Sequence, residues 1–291
     1  IKWYGENIRM KILVTGAKGM VGTALVNNLK TIQDGRNKTR PDIHIEEIYE
    51  YDIDNTLEEL DQYCKECSFV FNLAGVNRPE NTEDFMNGNF GFASTLLDTL
   101  KKYDNKSTIM LSSSIQATLA GRFGTSEYGK SKKAGEELFF DYSKETGAKV
   151  AVYRFPNLMG HSRPRYNSAI STFCYAVAND EEFTVNDRTT ELEVLYIDDL
   201  IEGMIRMMNT EDEYTGPINL GNPNEFPVLE LAERIISMTG SSSKIVFKSL
   251  PDDDPKQRQP DITLAKEKLG WQPTVELEEG LKRMIEYFKN V

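Results

Sequence analysis

Three glycines spaced three residues apart restrict the fold of this chain more than any other feature of its sequence. The first glycine comes directly after a short apolar run at residues 11–15. The last lies within residues 20–30, where apolar side chains recur at helical spacing. Gly16 can make a tight turn, Gly19 lets the backbone approach a pyrophosphate beside the helix N-terminus, and Gly22 permits close packing of the helix on the strand. This strand–turn–helix arrangement predicts a dinucleotide-binding site.

The segments that follow alternate between strand and helix patterns, which indicates a parallel sheet with helices on both faces. The predicted fold class is α/β, with a Rossmann-type doubly wound parallel sheet and a smaller C-terminal α/β substrate lobe. Further strands are predicted at residues 43–51, 68–73, 107–112, 149–154 and 183–185. Helices are predicted at residues 57–67, 82–103, 127–146, 168–179, 197–208, 226–238 and 277–290.

These elements suggest a division into two domains. The dinucleotide-binding domain is predicted to comprise residues 10–155 and parts of 186–221, and the nucleotide-sugar-binding lobe residues 156–185 and 222–291. Met10 is a more natural start than Ile1, so residues 1–9 are expected to be a tag remnant or a disordered extension.

The composition restricts the classes of partner. Lys and Arg number 34 against 46 Asp and Glu, a formal net charge of −12, whereas nucleic-acid binding relies on clustered positive charge. No stretch approaches the roughly 18 apolar residues that span a bilayer, and the N-terminus lacks a signal-peptide pattern. The C-x-x-C of Cys64 and Cys67 has no second pair to complete a metal site. We therefore expect a cytoplasmic protein without metal, nucleic-acid or membrane partners.

The choice between NAD(H) and NADP(H) stays open at this stage. The end of the second strand should carry the group that reads the adenosine ribose, and Asp52, followed by Ile53, lies there. An acidic residue favours a free 2′-hydroxyl, whereas Lys18 in the glycine turn can meet a 2′-phosphate. Three basic residues of the following insertion can also reach a phosphate in this interpretation: Arg36, Lys38 and Arg40.

A tyrosine and a lysine four residues apart lie on the predicted helix 127–146. This spacing places Tyr128 and Lys132 on one face, where the ammonium is expected to lower the tyrosine pKa towards the range useful for proton transfer. Lys132 can also hold the nicotinamide ribose. The hydroxyl partner lies at the carboxyl end of a parallel strand, where such sheets bind ligands. Spacing alone does not separate Ser112, Ser113 and Ser114.

Together these motifs resemble the extended short-chain dehydrogenase/reductase family, which acts largely on nucleotide-sugars. The matching segments are residues 15–22, 72–75, 112–114, 128–132 and 154–157. The resemblance implies a catalytic trio of Ser114, Tyr128 and Lys132, and by fold analogy a homodimer formed through helices 82–103 and 127–146. The predicted cofactor-binding set is Gly16, Lys18, Gly19, Met20, Val21, Gly22, Asp52, Ile53, Leu73, Ala74, Gly75, Tyr128, Lys132 and Phe155.

Two parts of the chain resemble different members of that family. Residues 10 to about 199 look most like bacterial capsular-polysaccharide reductases that reduce a UDP-4-keto-6-deoxy-N-acetylhexosamine and usually carry a further cupin domain. Residues 201–291 are similar to the end of UDP-glucuronate decarboxylases. We therefore predict a mosaic chain, natural or engineered, with a seam near residues 198–208. The substrate residues that these resemblances imply are Asn77, Arg78, Asn157, Ser168, Arg188 and Arg258.

Two substitutions favour reduction over decarboxylation. Decarboxylases and dehydratases of the family place a carboxylate beside the catalytic hydroxyl, where this chain has Gln116, and an amide cannot act as a carboxylate base. Leu192 takes the place of their diphosphate-binding arginine. We predict an NAD(P)-dependent 4-ketoreductase of a UDP-sugar for capsular or surface polysaccharide. The alternatives, in order, are a 4-epimerase with recycled NAD, a UDP-glucuronate decarboxylase and a non-catalytic cofactor-binding protein.

Overall fold

Strands alternate with helices in a computed structural model that describes residues 9–76, 81–119, 124–161, 168–186, 188, 190–210, 215–248 and 259–291. The strands are β1 (Arg9–Thr15), β2 (His44–Tyr51), β3 (Phe69–Asn72), β4 (Thr108–Ser114), β5 (Val150–Phe155), β6 (Leu158–Met159), β7 (Phe183–Val185), β8 (Glu191–Glu193), β9 (Leu195–Tyr196), β10 (Ile218–Asn219), β11 (Glu225–Pro227) and β12 (Ile245–Phe247). The helices are α1 (Met20–Gln33), α2 (Leu57–Glu66), α3 (Glu83–Phe85), α4 (Phe92–Lys102), α5 (Glu127–Thr146), α6 (Ala169–Ala178), α7 (Ile197–Met208), α8 (Val228–Thr239), α9 (Thr263–Leu269) and α10 (Leu277–Lys289).

Six strands form one parallel sheet in the order β10-β5-β4-β3-β1-β2. The order reverses at β1, because β2 lies on one side of it and β3 on the other. In such sheets a crevice opens beyond the carboxyl ends of the strands at the reversal, and ligands bind there. The prediction of an α/β fold with a Rossmann-type parallel sheet is confirmed.

Both faces of the sheet are apolar, as the sequence pattern indicates. On β1, Ile12 and Val14 join a hydrophobic core that includes α1 and α7, whereas Leu13 joins a second core with α2, α4 and α5. Successive side chains of a strand point to opposite faces, so a nearly continuous apolar strand is what a doubly covered sheet requires. The strands whose carboxyl ends border the crevice are thus held by apolar packing on both faces of the sheet.

The helix predicted at residues 82–103 is present from Glu83 to Lys102, with a change of hydrogen-bond pattern in its middle. Between α3 and α4 the chain makes a π-helical turn, Met86–Gly91, which includes the buried Asn89. The Asn89 side chain accepts a hydrogen bond from the backbone N–H of Val76 at 2.9 Å and donates to the carbonyl of Val76 at 3.0 Å. This pairing holds the end of the β3 segment beside the helix, a contact that helical periodicity does not reveal.

The predicted boundaries of helices and strands agree best with the structure where a capping residue or a helix-breaking residue marks them. The bounds of α5, α7 and β7 are confirmed, and Thr56 and Glu59 form a reciprocal capping box at the start of α2. The assignment of residue 9 to the N-terminal extension is wrong, because Arg9 is the first residue of β1 and pairs with His44. Among the described residues, six two- or three-residue strands (β6 and β8 to β12) and α9 were not predicted, since such short segments carry no measurable periodicity. The first two residues of the helix predicted at 226–238 belong to β11 instead.

The predicted seam lies within a continuously packed region. The Asp199 carboxylate in α7 is buried and accepts hydrogen bonds from the backbone N–H groups of Thr274 and Val275, each at 2.9 Å. The indole N–H of Trp271 donates to the Asp199 carbonyl at 2.8 Å. These bonds join the C-terminal segment to the helix that covers the sheet. The mosaic origin and the division into two domains stay predictions.

The three basic residues of the insertion lie away from the glycine turn. Their segment connects the C-terminus of α1 to the start of β2, so it lies at the amino ends of the strands, whereas the turn lies at the carboxyl end of β1. The 14 residues of α1, which span about 21 Å, separate the two. Arg36 is paired with Asp34, and Arg40 with Glu202. The interpretation that Arg36, Lys38 and Arg40 reach a cofactor phosphate is therefore wrong.

Within the described residues, no helix has the length and apolar character needed to cross a bilayer. The same residues contain no cluster of three or more His, Cys, Asp or Glu side chains arranged to hold a metal ion. Cys64, Cys67 and Cys174 are free thiols in the protein interior. Burial raises the pKa of the Cys67 thiol to about 11, so the C-x-x-C lacks the thiolate that redox chemistry uses.

Candidate active site

The glycine turn forms a narrow backbone cradle at the carboxyl end of β1. Gly16 has a φ of +70°, and a side-chain carbon there would lie 2.8 Å from the backbone nitrogen of Ala74. A side-chain carbon at Gly22 would lie 2.1 Å from the Gly16 carbonyl oxygen. The turn therefore fits tightly between the end of β3 and the start of α1, and it leaves the α1 N-terminus available for an anion.

A cavity of about 1010 Å³ extends from this turn along the carboxyl ends of β3, β4 and β5. It is large enough for a sizeable ligand, since binding sites commonly measure about 300–1,000 Å³. The structure brings most of the predicted site residues to its wall. Those residues are Gly16, Gly19, Met20, Val21, Gly22, Leu73, Gly75, Ser114, Tyr128, Lys132, Phe155, Asn157 and Ser168.

The predicted ribose-reading group lies beside the glycine turn. One oxygen of Asp52 accepts a hydrogen bond from the backbone N–H of Lys18 at 2.7 Å, and the other from the N–H of Ile53 at 2.8 Å. The Ile53 side chain is 99% exposed. The Lys18 ammonium forms an ion pair with Asp54, whose hydrogen bond raises the lysine pKa and lowers the Asp54 pKa. Lys18 is thus already neutralised by a carboxylate.

The predicted catalytic trio converges within the cavity. Ser114 accepts a hydrogen bond from the Gln116 backbone N–H at 3.3 Å, and its hydroxyl acts to lower the pKa of the Tyr128 phenol. The Lys132 ammonium lies 5.7 Å from the centre of the Tyr128 ring and donates to the Ser112 carbonyl at 3.3 Å. Of the three serines, Ser114 is the one that influences the Tyr128 pKa.

The expected lowering of the tyrosine pKa is not found. Burial raises the pKa of Tyr128 to about 12, and the Ser114 hydrogen bond offsets only part of that effect. Burial also lowers the pKa of Lys132 to about 8, against the opposing influence of Glu136. The ammonium is directed at a carbonyl rather than at the phenol, so the penalty for a buried phenolate prevails.

Gln116 fixes the start of α5. By the resemblance to decarboxylases, a carboxylate is expected at this position. The Gln116 side-chain oxygen accepts a hydrogen bond from Ser126 at 2.8 Å, and Ser126 in turn caps the helix by accepting from the Gly129 N–H at 3.0 Å. Phe85 packs against Tyr128 with ring centres 5.7 Å apart. Gln116 therefore helps to fix the start of the helix that carries Tyr128.

The predicted substrate residues differ in their placement. Asn157 and Ser168 line the cavity, with Asn157 donating hydrogen bonds to Glu193 and Ser168 capping α6. The structure does not bring Arg188 there: it is exposed, and its guanidinium stacks 3.9 Å from the centre of the Phe247 ring. The remaining three predicted substrate residues lie outside the described residues: Asn77, Arg78 and Arg258.

Three buried polar residues near the trio were missed by the sequence reasoning. Glu193 is 1% exposed and lines the cavity beside Asn157, Glu136 lies one helical turn beyond Lys132, and Asn89 donates to Ser131 at 3.0 Å. Glu136 continues the 128–132 spacing by another four residues, which is a usable signal. Glu193 and Asn89 become neighbours of the site only through the fold.

Comparisons with known proteins agree with this geometry. The sequence profile of the NAD dependent epimerase/dehydratase family matches residues 12–221. The chain is 31% identical over 237 residues, 81% of its length, to a UDP-2-acetamido-2,6-beta-L-arabino-hexul-4-ose reductase of Pseudomonas aeruginosa, and 40% identical over 167 residues, 56% of its length, to UDP-glucuronic acid decarboxylase 5 of Arabidopsis thaliana. It spans 59% and 48% of those two relatives.

A solved structure with the same architecture is that of a UDP-glucose 4-epimerase from Thermotoga maritima, determined with UDP-glucose. The two chains superpose with a TM-score of 0.80 at 25% identity, covering 97% of this chain and 99% of the epimerase. Reductase, decarboxylase and epimerase are thus all similar to this chain, so the residues of the site have to separate these reactions.

Proposed function

The chain belongs to the NAD dependent epimerase/dehydratase family, an extended branch of the short-chain dehydrogenases/reductases, and on that premise we propose that it reduces C4 of a UDP-4-keto-6-deoxy-N-acetylhexosamine with NADH or NADPH. The observation that carries the proposal is that Ser114, Tyr128 and Lys132 line one cavity with the glycine turn, with the Lys132 ammonium 5.7 Å from the centre of the Tyr128 ring. The 81% of the chain that matches a UDP-sugar 4-keto reductase supports the same substrate class.

The glycine turn and its neighbours fit a dinucleotide. The tight backbone cradle at Gly16 and Gly22 suits a pyrophosphate at the α1 N-terminus, and Asp52, which is bonded to the Lys18 N–H of the turn, would accept a hydrogen bond from an adenosine ribose. Lys132 would hold the nicotinamide ribose. When bound, a reduced nicotinamide supplies a hydride to the sugar carbon.

The protein's own part in the reaction is to hold the sugar oxygen and deliver one proton. The Tyr128 hydroxyl, protonated at neutral pH because burial raises its pKa to about 12, donates its proton to the C4 oxygen. Ser114 donates a hydrogen bond to the same oxygen and orients it. The Lys132 ammonium stabilises the phenolate that remains, as an opposite charge does in a low-dielectric site.

For decarboxylation, the family resemblance implies two groups that this chain lacks at the matching positions. Gln116 offers no carboxylate base, and its side-chain oxygen is already used to fix the start of α5. Leu192 lines the cavity, and the resemblance to decarboxylases implies a diphosphate-binding arginine at this position. A 4-epimerase shares the whole trio, so it remains the second candidate, favoured by the similarity to the Thermotoga maritima enzyme.

Spectrophotometry separates reductase from epimerase. The reductase proposal predicts that the purified protein oxidises added NADH or NADPH, followed at 340 nm, when given the UDP-4-keto-6-deoxy-N-acetylhexosamine. An epimerase would instead copurify with tightly bound NAD and interconvert UDP-sugars without consuming added cofactor. Either of those two epimerase results, with no oxidation of added cofactor, would overturn the reductase proposal.

The pH dependence of reduction follows from Lys132. Its ammonium is the form that stabilises the phenolate, and burial lowers its pKa to about 8. We expect kcat/KM to be level below that pH and to fall about tenfold per pH unit above it, because the fraction of protonated lysine falls in that way. A profile that stays level to pH 10 would contradict this role of Lys132.

Cofactor choice offers a second prediction, because Lys18 is held by Asp54. The change Asp54→Asn is expected to free the lysine for a 2′-phosphate and to raise NADPH affinity relative to NADH by about two- to five-fold, the range typical of an exposed ion pair. Fluorescence titration with each reduced cofactor measures the ratio. The matched control is Asp34→Asn, which breaks an ion pair at the opposite edge of the sheet and should leave the ratio unchanged.

Three further features belong to the proposal. We propose a homodimer through α4 and α5, for which light scattering should give twice the chain mass, and a monomer would refute it.

A cytoplasmic location suits three free cysteines and a nicotinamide-dependent reaction. A product of this kind would serve capsular or surface polysaccharide synthesis.

A further inference from the structure

A buried ion pair lies directly behind the proposed catalytic lysine. The Glu136 carboxylate is 4% exposed, and it receives two parallel hydrogen bonds from the Arg154 guanidinium, at 2.9 Å and 2.7 Å. It also accepts a hydrogen bond from the Ser113 hydroxyl at 2.6 Å. Each partner is thus fixed in direction as well as in position, since a bidentate pair cannot rotate freely.

The pair is aligned with the trio by regular secondary structure. Tyr128, Lys132 and Glu136 follow one another at four-residue intervals on one face of α5. Arg154 pairs in register with Ser113 on the neighbouring strand, one residue before Ser114 pairs with Phe155. The carboxylate therefore bridges the lysine's helix and the two strands whose ends carry the site.

Stability alone is a weak reason for such a pair. Removing two charges from water is costly, and buried ion pairs are often replaceable by apolar residues of similar volume without loss of stability. The lysine, in contrast, depends on its charged neighbours, because a buried ammonium is destabilised unless a negative charge lies near it. A carboxylate one helical turn away supplies that charge.

We propose that Glu136 and Arg154 act as positioning residues that set the fraction of Lys132 present as an ammonium, Glu136 favouring that form and Arg154 limiting the effect. This inference rests on the proposed function, in which the ammonium stabilises the Tyr128 phenolate. The direction agrees with the pKa of Lys132, which burial lowers and Glu136 raises. Glu136 acts directly on the charge of Lys132. Arg154 acts mainly by neutralising Glu136.

The other groups that face Lys132 leave this pair in control of its charge. From α5 the titratable neighbour is Tyr128, which is protonated near neutral pH. The β4 strand presents the Ser112 carbonyl, and the π-helical turn presents the neutral amide of Asn89 beside Gly75. Among the described residues, Glu136 is the one charged group that shifts the Lys132 pKa.

Two substitutions should shift that pKa in opposite directions. Glu136→Gln removes the negative charge and leaves the guanidinium, so the Lys132 pKa should fall by about one unit or more. Arg154→Gln leaves the carboxylate unpaired beside the lysine, so the pKa should rise. The double variant should lie between the parent and Glu136→Gln. The matched control is Glu137→Gln, whose carboxylate pairs with Lys133 on the exposed face of α5.

The measurement is a pH titration of the Lys132 side chain by NMR with ¹³C-labelled lysine, assigned with Lys132→Arg. It needs neither substrate nor cofactor, so its outcome is independent of the proposed reaction. We expect the order Arg154→Gln, parent, double variant, Glu136→Gln from highest to lowest pKa, with the alkaline limb of kcat/KM in the same order. Any two folded variants test this order, and equal pKa values in the parent and the folded variants would overturn the proposal.

Discussion

Tyr128→Phe is expected to lower kcat for reduction of the UDP-4-keto sugar by about 10²–10⁴-fold, the usual contribution of a positioned general acid. The substitution removes the single proton donor proposed for the C4 oxygen. It also leaves the ring, which packs against Phe85, in place. Binding of the UDP-sugar and of NADH or NADPH should therefore be retained, as isothermal titration calorimetry can measure.

The control for this variant lies on the same helix. Tyr142 is buried and donates its hydroxyl to the Asn105 carbonyl at 3.2 Å, and it is not among the residues that line the cavity. Tyr142→Phe should keep the parent's kcat, whatever it does to stability. Full activity in Tyr128→Phe would contradict the proposed mechanism. Loss of cofactor binding in that variant would show that the tyrosine acts structurally.

Gly22→Ala is expected to abolish tight cofactor binding and to destabilise the fold. The added carbon would lie 2.1 Å from the Gly16 carbonyl oxygen and 2.8 Å from the backbone of Ala17, so α1 must move away from the turn. Such overpacking costs about 1–3 kcal/mol. Affinity for NADH or NADPH should fall at least about tenfold, since 1.4 kcal/mol lost from the bound state is enough for that factor.

A second helical glycine provides the matched control. A side-chain carbon at Gly135, in α5, would meet no atom within 4 Å. Gly135→Ala should therefore stabilise the protein by about 0.5–1 kcal/mol, because alanine loses less backbone freedom in a helix. Thermal unfolding and fluorescence titration of both variants check the pair. If Gly22→Ala binds the cofactor as well as the parent does, the turn is not the pyrophosphate site.

The parts of the site that the sequence predicts are those set by local pattern. The glycine spacing at residues 16–22 and the Tyr128–Lys132 interval each lie within one element, where the spacing alone decides which side chains share a face. The bounds of α5 agree because Ser126 caps one end and Gly147, in the left-handed conformation, ends the other. Spacing alone does not separate Ser114 from its two neighbours, whereas the family resemblance singles it out.

What the sequence does not predict depends on contacts between distant segments. Glu136 bonds to Arg154, which is 18 residues away in the sequence, and Asn89 of the π-helical turn bonds to Val76. Arg36 carries a suitable charge but lies at the wrong edge of the sheet. The tyrosine pKa was misjudged for the same reason, since burial cannot be deduced from a four-residue spacing. The roles assigned to the site residues stay predictions until variants are measured.

The most direct test of the central claim is the fate of deuterium from NADH or NADPH that carries deuterium at both hydrogen positions of nicotinamide C4. The protein is incubated with the UDP-4-keto-6-deoxy-N-acetylhexosamine, and the product is examined by mass spectrometry and proton NMR. We predict one deuterium per product molecule, at C4 of the sugar, with one cofactor oxidised. A UDP-sugar product without deuterium, formed while the added cofactor stays reduced, would contradict the proposed reduction.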